Sequence, residues 1–340
     1  MASGWRDNLQ LISRLTPGRV WNSAKVLSSY VASRIRDTPR ISGMPVSLSI
    51  EPTTSCNLRC PECPSGLRSF TRPTGMLDPQ LFRKILDEVA PTLTYLTFYF
   101  QGEPYLHPQF SDMVRYASGK GIYTATSTNA HFLDEKRAQE TVASGLGRLI
   151  ISIDGTTQET YAAYRVGGQL EKVLEGTRTL LRVRREMGSA TPHVVFQFLI
   201  VKPNEHQVPD VYKLAHELGV DDVWLKTAQI YDYQQGSPLI PDQPEYSRYR
   251  KNGDGTYSIK NELLNHCWKM WHSCVITWDG KVVPCCFDKD ARHVMGDLKT
   301  TSFRDIWFGS AYRDFRASLL RSRSEIEMCR NCTEGTKVWA

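Results

Sequence analysis

The sequence predicts an α/β fold of six consecutive βα units on a parallel sheet, followed by a small cysteine-bearing domain. From Val46 to Lys226, short runs rich in β-branched and aromatic residues alternate with stretches of helical periodicity, the pattern of parallel strands joined by right-handed crossovers. The nine cysteines fall in two groups, Cys56 to Cys63 and Cys267 to Cys332, one near the start of that run and one beyond its end. At 340 residues the chain is long enough for one large domain and a small one.

Residues 1–44 read as a basic N-terminal helical extension. Within it, 18–36 is predicted as a helix whose apolar residues Val20, Ala24, Leu27, Val31 and Ile35 recur every three or four positions, with Lys25 and Arg36 elsewhere on the wheel. Trp5, Leu9, Ile12 and Trp21 add to the apolar content. Such a stripe either docks on the main domain or offers a basic amphipathic surface to a membrane or a partner.

Residues 45–228 hold the six units. Strands are predicted near Val46 to Ile50, Tyr95 to Phe100, Ile122 to Thr126, Arg148 to Ile153, His193 to Val201 and Asp222 to Lys226. Helices are predicted near Pro79 to Val89, Gln109 to Gly119, Asp134 to Ala143, Gln169 to Met187 and Glu205 to Leu218. A sheet of this kind carries its site at the C-terminal strand ends. Residues 229–261 break the pattern as a loop-rich linker or lid. Gly236, Pro238, Pro241 and Pro244 are loop residues there, Asn252 to Thr256 signals a hairpin, and Tyr231, Tyr233, Tyr246 and Tyr249 are candidate lining residues. Residues 262–340 make the C-terminal domain, where Thr277 to Pro284 reads as a hairpin turned at Gly280.

Composition narrows the function classes. A hydrophobic content of 41% and a charged content of 23% are those of an ordinary globular protein. No apolar run is long enough to span a bilayer and no secretory signal is present, so a cytoplasmic, metal-binding protein is expected, in reducing surroundings and with room for a membrane-peripheral placement. The net charge is +6, and residues 1–40, with seven cations against two anions, carry most of it. A nearly neutral remainder argues against a nucleic-acid partner.

Cys56-Asn57-Leu58-Arg59-Cys60-Pro61-Glu62-Cys63 places three thiols in a Cys-x3-Cys-x2-Cys array straight after the first strand. Closely spaced soft ligands suit an iron-sulfur cluster or a thiolate-rich zinc site. A closed zinc site wants four ligands, and no fourth Cys or His lies between Glu51 and Tyr105; a 4Fe-4S cluster on three thiolates leaves one iron open. This array resembles that of the radical S-adenosylmethionine (radical SAM) enzymes. The resemblance implies a partial (β/α)6 barrel in which Cys56, Cys60 and Cys63 hold a 4Fe-4S cluster and the open iron chelates S-adenosyl-L-methionine (SAM). It further implies reductive cleavage of SAM to a 5'-deoxyadenosyl radical that takes hydrogen from unactivated C–H bonds, with an external electron donor such as flavodoxin or ferredoxin.

The same resemblance assigns further cofactor-binding residues. Gln101-Gly102-Glu103-Pro104 is similar to the Gly-Gly-Glu-Pro segment that receives the cofactor's amino group, with Gln101 in place of the first glycine. Ser127 and Asn129 stand where polar contacts near the ribose are found. Asp154 follows the fourth strand and is a candidate for either a site role or a helix cap. Arg165 stands where an arginine meets the methionine carboxylate, for which its planar fork is suited. Asn204, after the fifth strand, is open in the same way as Asp154.

In the second cysteine group, twelve residues separate Cys267 from Gly280, four more precede Cys285, and Cys329-x2-Cys332 follows. Two-plus-two spacing suits zinc as well as iron-sulfur. The pattern resembles the SPASM auxiliary-cluster domain or its shorter Twitch form, which implies one auxiliary 4Fe-4S cluster on Cys267, Cys285, Cys329 and Cys332, since the Cys-x5-Cys-x3-Cys run of the two-cluster version is missing. Cys274 and Cys286 are left over, either as buried thiols or as hydrogen donors to a substrate radical. The expected enzyme is an oxidoreductase or epimerase acting on a small-molecule, glycosyl or lipid-linked substrate, since no leader-binding module is recognisable. A peptide-modifying maturase is the second reading, and a non-catalytic iron-sulfur or zinc-binding assembly protein the third.

Overall fold

The computed structural model describes residues 4–335. The first three residues of the predicted 1–44 extension and the last five of the 262–340 domain lie outside the described residues. Two helices open the chain, α1 (Gly4–Ile12) and α2 (Pro17–Arg36), and then the alternation begins: β1 (Ser47–Ile50), α3 (Pro64–Leu67), α4 (Pro79–Val89), β2 (Tyr95–Thr97), α5 (Phe110–Gly119) and β3 (Tyr123–Thr128). It continues with α6 (Glu135–Ala143), β4 (Arg148–Ser152), α7 (Gln158–Tyr164), α8 (Leu170–Glu186), β5 (His193–Ile200), α9 (Val208–Leu218) and β6 (Asp222–Thr227). The predicted lid carries the short hairpin β7 (Tyr249–Lys251) and β8 (Tyr257–Ile259). Last come α10 (Lys269–His272), β9 (Ser273–Ile276), β10 (Lys281–Val283), β11 (Gly296–Asp297), α11 (Phe303–Phe308) and α12 (Ser310–Arg321).

The chain clusters into two compact units, each built from several stretches of sequence, with one change of unit between Glu262 and Leu263, next to the predicted start of the C-terminal domain at 262. One comprises the chain up to Leu9, Cys56–Ser69 and Ala125–Glu262. Strands β3, β4, β5 and β6 pair in that order, all parallel, with Ile150 opposite Val195 and Phe198 opposite Leu225. The middle strands are buried on both faces, so Leu-Ile-Ile in β4 and Val-Val-Phe in β5 are continuous apolar runs without alternation. Leu58, Tyr164, Val201, Ile230, Ile240 and Tyr249 form a core cluster that brings the cysteine loop and the lid segment together.

The other unit comprises Gln10–Ser55, Phe70–Thr124 and the chain from Leu263. Here β1 pairs in parallel with β2 on one side and with β9 on the other, Leu48 facing Leu96 and Cys274. Strands β9, β10 and β11 follow as an antiparallel series, turned at Gly280 in the left-handed region (φ 86°), as the hairpin motif requires. A segment more than two hundred residues downstream of β1 thus completes its second edge.

In this unit α2 spans Pro17–Arg36, capped by Thr16, but its orientation differs from a helix docked by its apolar stripe. The buried face consists of Arg19, Asn22, Val26, Ser29, Tyr30 and Ser33. Arg19 donates to the carbonyls of Ala90, Lys120 and Gly121 at the ends of α4 and α5, where a cation also suits the helix dipoles. Asn22 exchanges two hydrogen bonds with the backbone of Met44, and Tyr30 packs on Trp268 and Trp271. Val20, Trp21, Val31 and Ile35 face outward. Among the described residues, no helix is long and apolar enough to cross a membrane.

His272 ties α10 to β1: its carbonyl accepts from Val46 N at 2.8 Å and its ring lies 3.3 Å from Ser47 Oγ. Burial, reinforced by the Lys269 ammonium, pushes the imidazole down to about 4, so it is neutral when folded. An ordinary histidine titrates near 6.5 when unfolded. The stabilising contribution is therefore full above about pH 6.5 and is lost as pH falls through about 4. Between pH 7 and 4.5, wild type is expected to lose about 2.5 kcal/mol more than His272→Gln, read from urea midpoints at the two pH values.

Candidate functional site

The loop after β1 is fixed by backbone and packing contacts within its own unit. Leu58 is buried in the core cluster, Arg59 N donates to Val166 O at 2.9 Å, and α3 starts at Pro64 with Cys63 at its N-terminal boundary. A Cβ at Gly66 would lie 2.6 Å from Cys60 N, so only glycine lets α3 close on the loop. Cys60 is buried while Cys56 and Cys63 are half-buried. Asn57 Oδ1 accepts from Asn129 Nδ2 at 2.8 Å, which brings the end of β3 onto the cysteine loop.

Arg165 reaches the same loop, with Nη1 3.7 Å from Cys60 Sγ. Its Nε donates to Asp154 Oδ2 at 2.5 Å, and Asp154, fully buried, also accepts from Leu199 N at 2.8 Å. Burial alone would lower the guanidinium's pKa, but the Asp154 carboxylate and the Cys60 thiol outweigh it and hold Arg165 cationic. Asp154 caps no helix, since Thr157 caps α7; it aims Arg165. Asn204 is likewise buried and structural, donating to Asp154 O and Leu199 O and accepting from Val201 N. Ser127 stands at the end of β3 with Oγ 3.5 Å from Ser152 Oγ. Ser127, Asn129, Asp154 and Arg165 thus share one unit with the three thiols.

Gly102 and Glu103 lie in the other unit. Gly102 has φ 75°, and a Cβ there would collide with Thr53 O and Ser55 O. Glu103 is buried, its N–H donates to Ser55 O at 2.7 Å, and its carboxylate accepts from Tyr105 N at 3.2 Å. The turn is thereby clamped to the residue directly preceding Cys56. Gly102→Ala is expected to cost about 3 kcal/mol in thermal or urea unfolding, because the positive φ and a backbone collision add.

In the C-terminal segment, Cys267, Cys329 and Cys332 are buried and Cys285 half-buried. Burial raises the Cys267 thiol and Cys332 raises it further; Cys329 is pushed up to about 11 by burial, with Cys332 and Cys267 adding. Cys285 is raised by its hydrogen bond to Cys286 first, then by burial, with Cys267 and Cys332 contributing. All three are thus held toward the protonated form. Arg323, buried, lies 3.2 Å from Cys332 Sγ through Nη2 and donates to Glu334 O at 2.7 Å. Sequence reasoning did not single out Arg323, which falls in no motif, or Asn57, which lies inside the Cys56–Cys63 array at a position its cysteine spacing leaves open.

Both thiol groups fit iron-sulfur clusters in donor chemistry. Each consists of soft ligands with an arginine placed to offset thiolate charge. Among the described residues, no three His, Cys, Asp or Glu side chains converge on a single-ion position. Cys274 is enclosed on β9 beside Tyr312 and Arg316, its thiol pushed up to about 12 by burial, a placement that favours core packing over hydrogen donation. Cys286 is half-buried, drawn down to about 7 by its hydrogen bond with Cys285, against burial and with help from the Lys269 ammonium.

The chain is similar to several known proteins. Residues 50–215 match the family described as Radical SAM superfamily, and residues 267–333 the SPASM family, an iron-sulfur cluster-binding domain. The tungsten-containing aldehyde ferredoxin oxidoreductase cofactor-modifying protein of Pyrococcus furiosus is 28% identical over 312 residues, covering 79% of this chain and 82% of that protein. The PqqA peptide cyclase of Gluconobacter oxydans is 22% identical over 315 residues, covering 87% and 84%. The crystal structure of Streptococcus suis SuiB bound to S-adenosylmethionine superposes with a TM-score of 0.64 at 14% identity, covering 91% of this chain and 76% of that one.

Proposed function

The chain belongs to the radical SAM superfamily and carries a SPASM iron-sulfur domain, and from that premise we propose an enzyme that takes hydrogen from a small-molecule, glycosyl or lipid-linked substrate. Its fold is the superfamily's α/β architecture, and its cofactors are a 4Fe-4S cluster, SAM and auxiliary iron-sulfur chemistry in the SPASM domain. When bound, these groups supply reductive cleavage of the SAM sulfonium and an adenosyl radical able to take hydrogen from a C–H bond.

The chain's own residues divide the remaining work. Cys56, Cys60 and Cys63 would hold the SAM-binding cluster, and Cys267, Cys285, Cys329 and Cys332 a single auxiliary cluster. The observation that carries the reading is Arg165, pinned by Asp154 and set beside Cys60 Sγ. A cation fixed there suits the methionine carboxylate, because the guanidinium is oriented before the cofactor arrives. Glu103, on a turn that Gly102 lets close on Ser55, would receive the cofactor's ammonium. Ser127 and Asn129 add polar contacts at the end of β3.

For the substrate, the lid segment favours a compact molecule. Tyr231 N donates to Glu62 Oε2 at 3.0 Å, and Tyr233, Leu239, Tyr257 and Ile259 pack on the cluster that contains the cysteine loop. A segment folded back on the loop restricts water and long chains alike. Cys267, Cys285, Cys329 and Cys332 would supply a full set of four thiolates to an auxiliary cluster, which favours electron transfer or a structural role; with electron transfer the outcome is oxidation, and flavodoxin or ferredoxin is the external donor. Cys286 as hydrogen donor would instead give epimerisation. Peptide maturation is the second reading, favoured by the similarity to a PqqA peptide cyclase across 87% of the chain.

The test is anaerobic reconstitution of wild type and Cys60→Ala, with iron, sulfide and 5'-deoxyadenosine measured after reduction in the presence of SAM. About eight irons, as two four-iron clusters supply, and deoxyadenosine lost in the variant are expected. Zinc in place of iron, or no cleavage by wild type, would leave a non-catalytic metal-binding protein.

A further inference from the structure

Helix α2 presents an apolar arc on the side opposite the face that docks it. With about 100° per residue, Val20, Ala24, Leu27, Val31 and Ile35 share that arc and Trp21 borders it. Val20 is 52% exposed, Trp21 65% and Ile35 76%, values far from those of residues held in a core. Ile12 and Leu15, just before the helix, are also exposed. Lys25 and Arg36 flank the arc on one side and Arg34 on the other, all three exposed, and Lys25 Nζ lies 5.5 Å from the centre of the Trp21 ring. Pro17–Arg36 contains no Asp or Glu; Asp37, its left-handed C-cap, is the nearest anion in sequence.

We propose that α2 is a membrane-surface helix that lies in the plane of an anionic phospholipid bilayer. The occupant follows from charge and shape together. An apolar arc edged by cations on both sides sinks its centre to the level of the acyl chains while the ammonium and guanidinium groups meet lipid phosphates. Within Pro17–Arg36 no acid interrupts the arc, so every charge beside it favours an anionic surface. The opposite face is already held by Arg19, Asn22 and Tyr30, so the helix is rigid before it meets lipid and loses little conformational entropy on binding. This inference is independent of substrate and of cluster chemistry.

The experiment is flotation of the full reconstituted chain with vesicles of phosphatidylcholine alone, or of an equal mixture with phosphatidylglycerol, at low and high salt. Co-flotation with the anionic vesicles only, weakened by salt, is expected. Reversing Lys25, Arg34 and Arg36 together to glutamate should lower partitioning by roughly a hundredfold, from the usual contribution per basic residue. Val31→Ser with Ile35→Ser should lower it by roughly tenfold or more, because less apolar surface then enters the bilayer. Far-ultraviolet dichroism and thermal midpoints of each variant keep a folding failure from being mistaken for lost binding, and Lys25→Glu alone, clear of the Arg34 contact with the Tyr30 ring, should still lower partitioning severalfold. Absence of flotation with anionic vesicles overturns the proposal. So does a dimer in sedimentation that dissociates in the Val31→Ser, Ile35→Ser variant without any vesicle binding, since the arc would then pair two copies of the chain.

Discussion

Asp154→Asn is expected to lower the unfolding free energy by about 4 kcal/mol and SAM cleavage by roughly a hundredfold. The carboxylate is fully buried and bonds Arg165 at 2.5 Å, so its removal strands a guanidinium whose side chain is only 16% exposed. Asparagine keeps the bond from Leu199 N, so the loss reports on the ion pair and not on the backbone around it. The double variant Asp154→Asn, Arg165→Met should regain part of the stability because no charge is left unpaired, while SAM affinity stays low. Urea unfolding of the apoprotein, calorimetric SAM binding and deoxyadenosine release separate the two effects. Unchanged SAM affinity in Asp154→Asn would show that Arg165 needs no positioning by this carboxylate.

Arg323→Met is expected to halve the iron content, from about eight to about four per chain, while leaving SAM cleavage measurable. Arg323 sits among Cys267, Cys329 and Cys332; burial would lower its pKa, but those thiols hold it up, and in return it favours their ionisation. Without it, burial and mutual repulsion keep the thiols protonated, and protonated thiols do not ligate iron. The carbonyls of Glu334 and His266, to which it donates at 2.7 and 3.3 Å, also lose their partner, adding about 3 kcal/mol of destabilisation. Arg323→Lys should restore part of the iron because it returns the charge without the fork geometry. Full iron occupancy in Arg323→Met, measured with the electron paramagnetic resonance signal of the reduced protein, would remove this role.

Much of the architecture was legible because its signals are local. Helix α4 runs from Pro79 to Val89 as expected, and the six strand positions follow from β-rich runs between turn residues. Strand β2 is shorter than its sequence suggests, closing at Thr97 although Phe98 to Phe100 continue the apolar run. Helix α7 was missed, since its seven residues are too few to show a period. The periodicity of α2 told which residues share a face but not which face docks. That choice is made by long-range hydrogen bonds from Arg19 and Asn22, for which no apolar pattern exists.

The candidate site divides along the same line. Cysteine spacing and the position of Arg165 are sequence-local signals, and the fold brings Arg165 beside Cys60. Asp154 was placed at the right strand end, but its job of aiming Arg165 depends on an eleven-residue excursion that only the fold resolves. Arg323 and Cys332 meet across a turn, and a lone arginine among several in that stretch gives no warning of it.

The parallel pairing of β9 with β1 has a practical consequence for anyone wishing to work with the first 262 residues alone. Leu48, Ser49 and Ile50 would lose their partners Cys274, Val275 and Ile276, baring a row of unpaired amides and carbonyls along a strand that alternates serine with Leu48 and Ile50. Exposed edges of that kind recruit strands from other molecules. Precipitation on shortening would therefore report a missing neighbour in the sheet, whether or not any iron is bound.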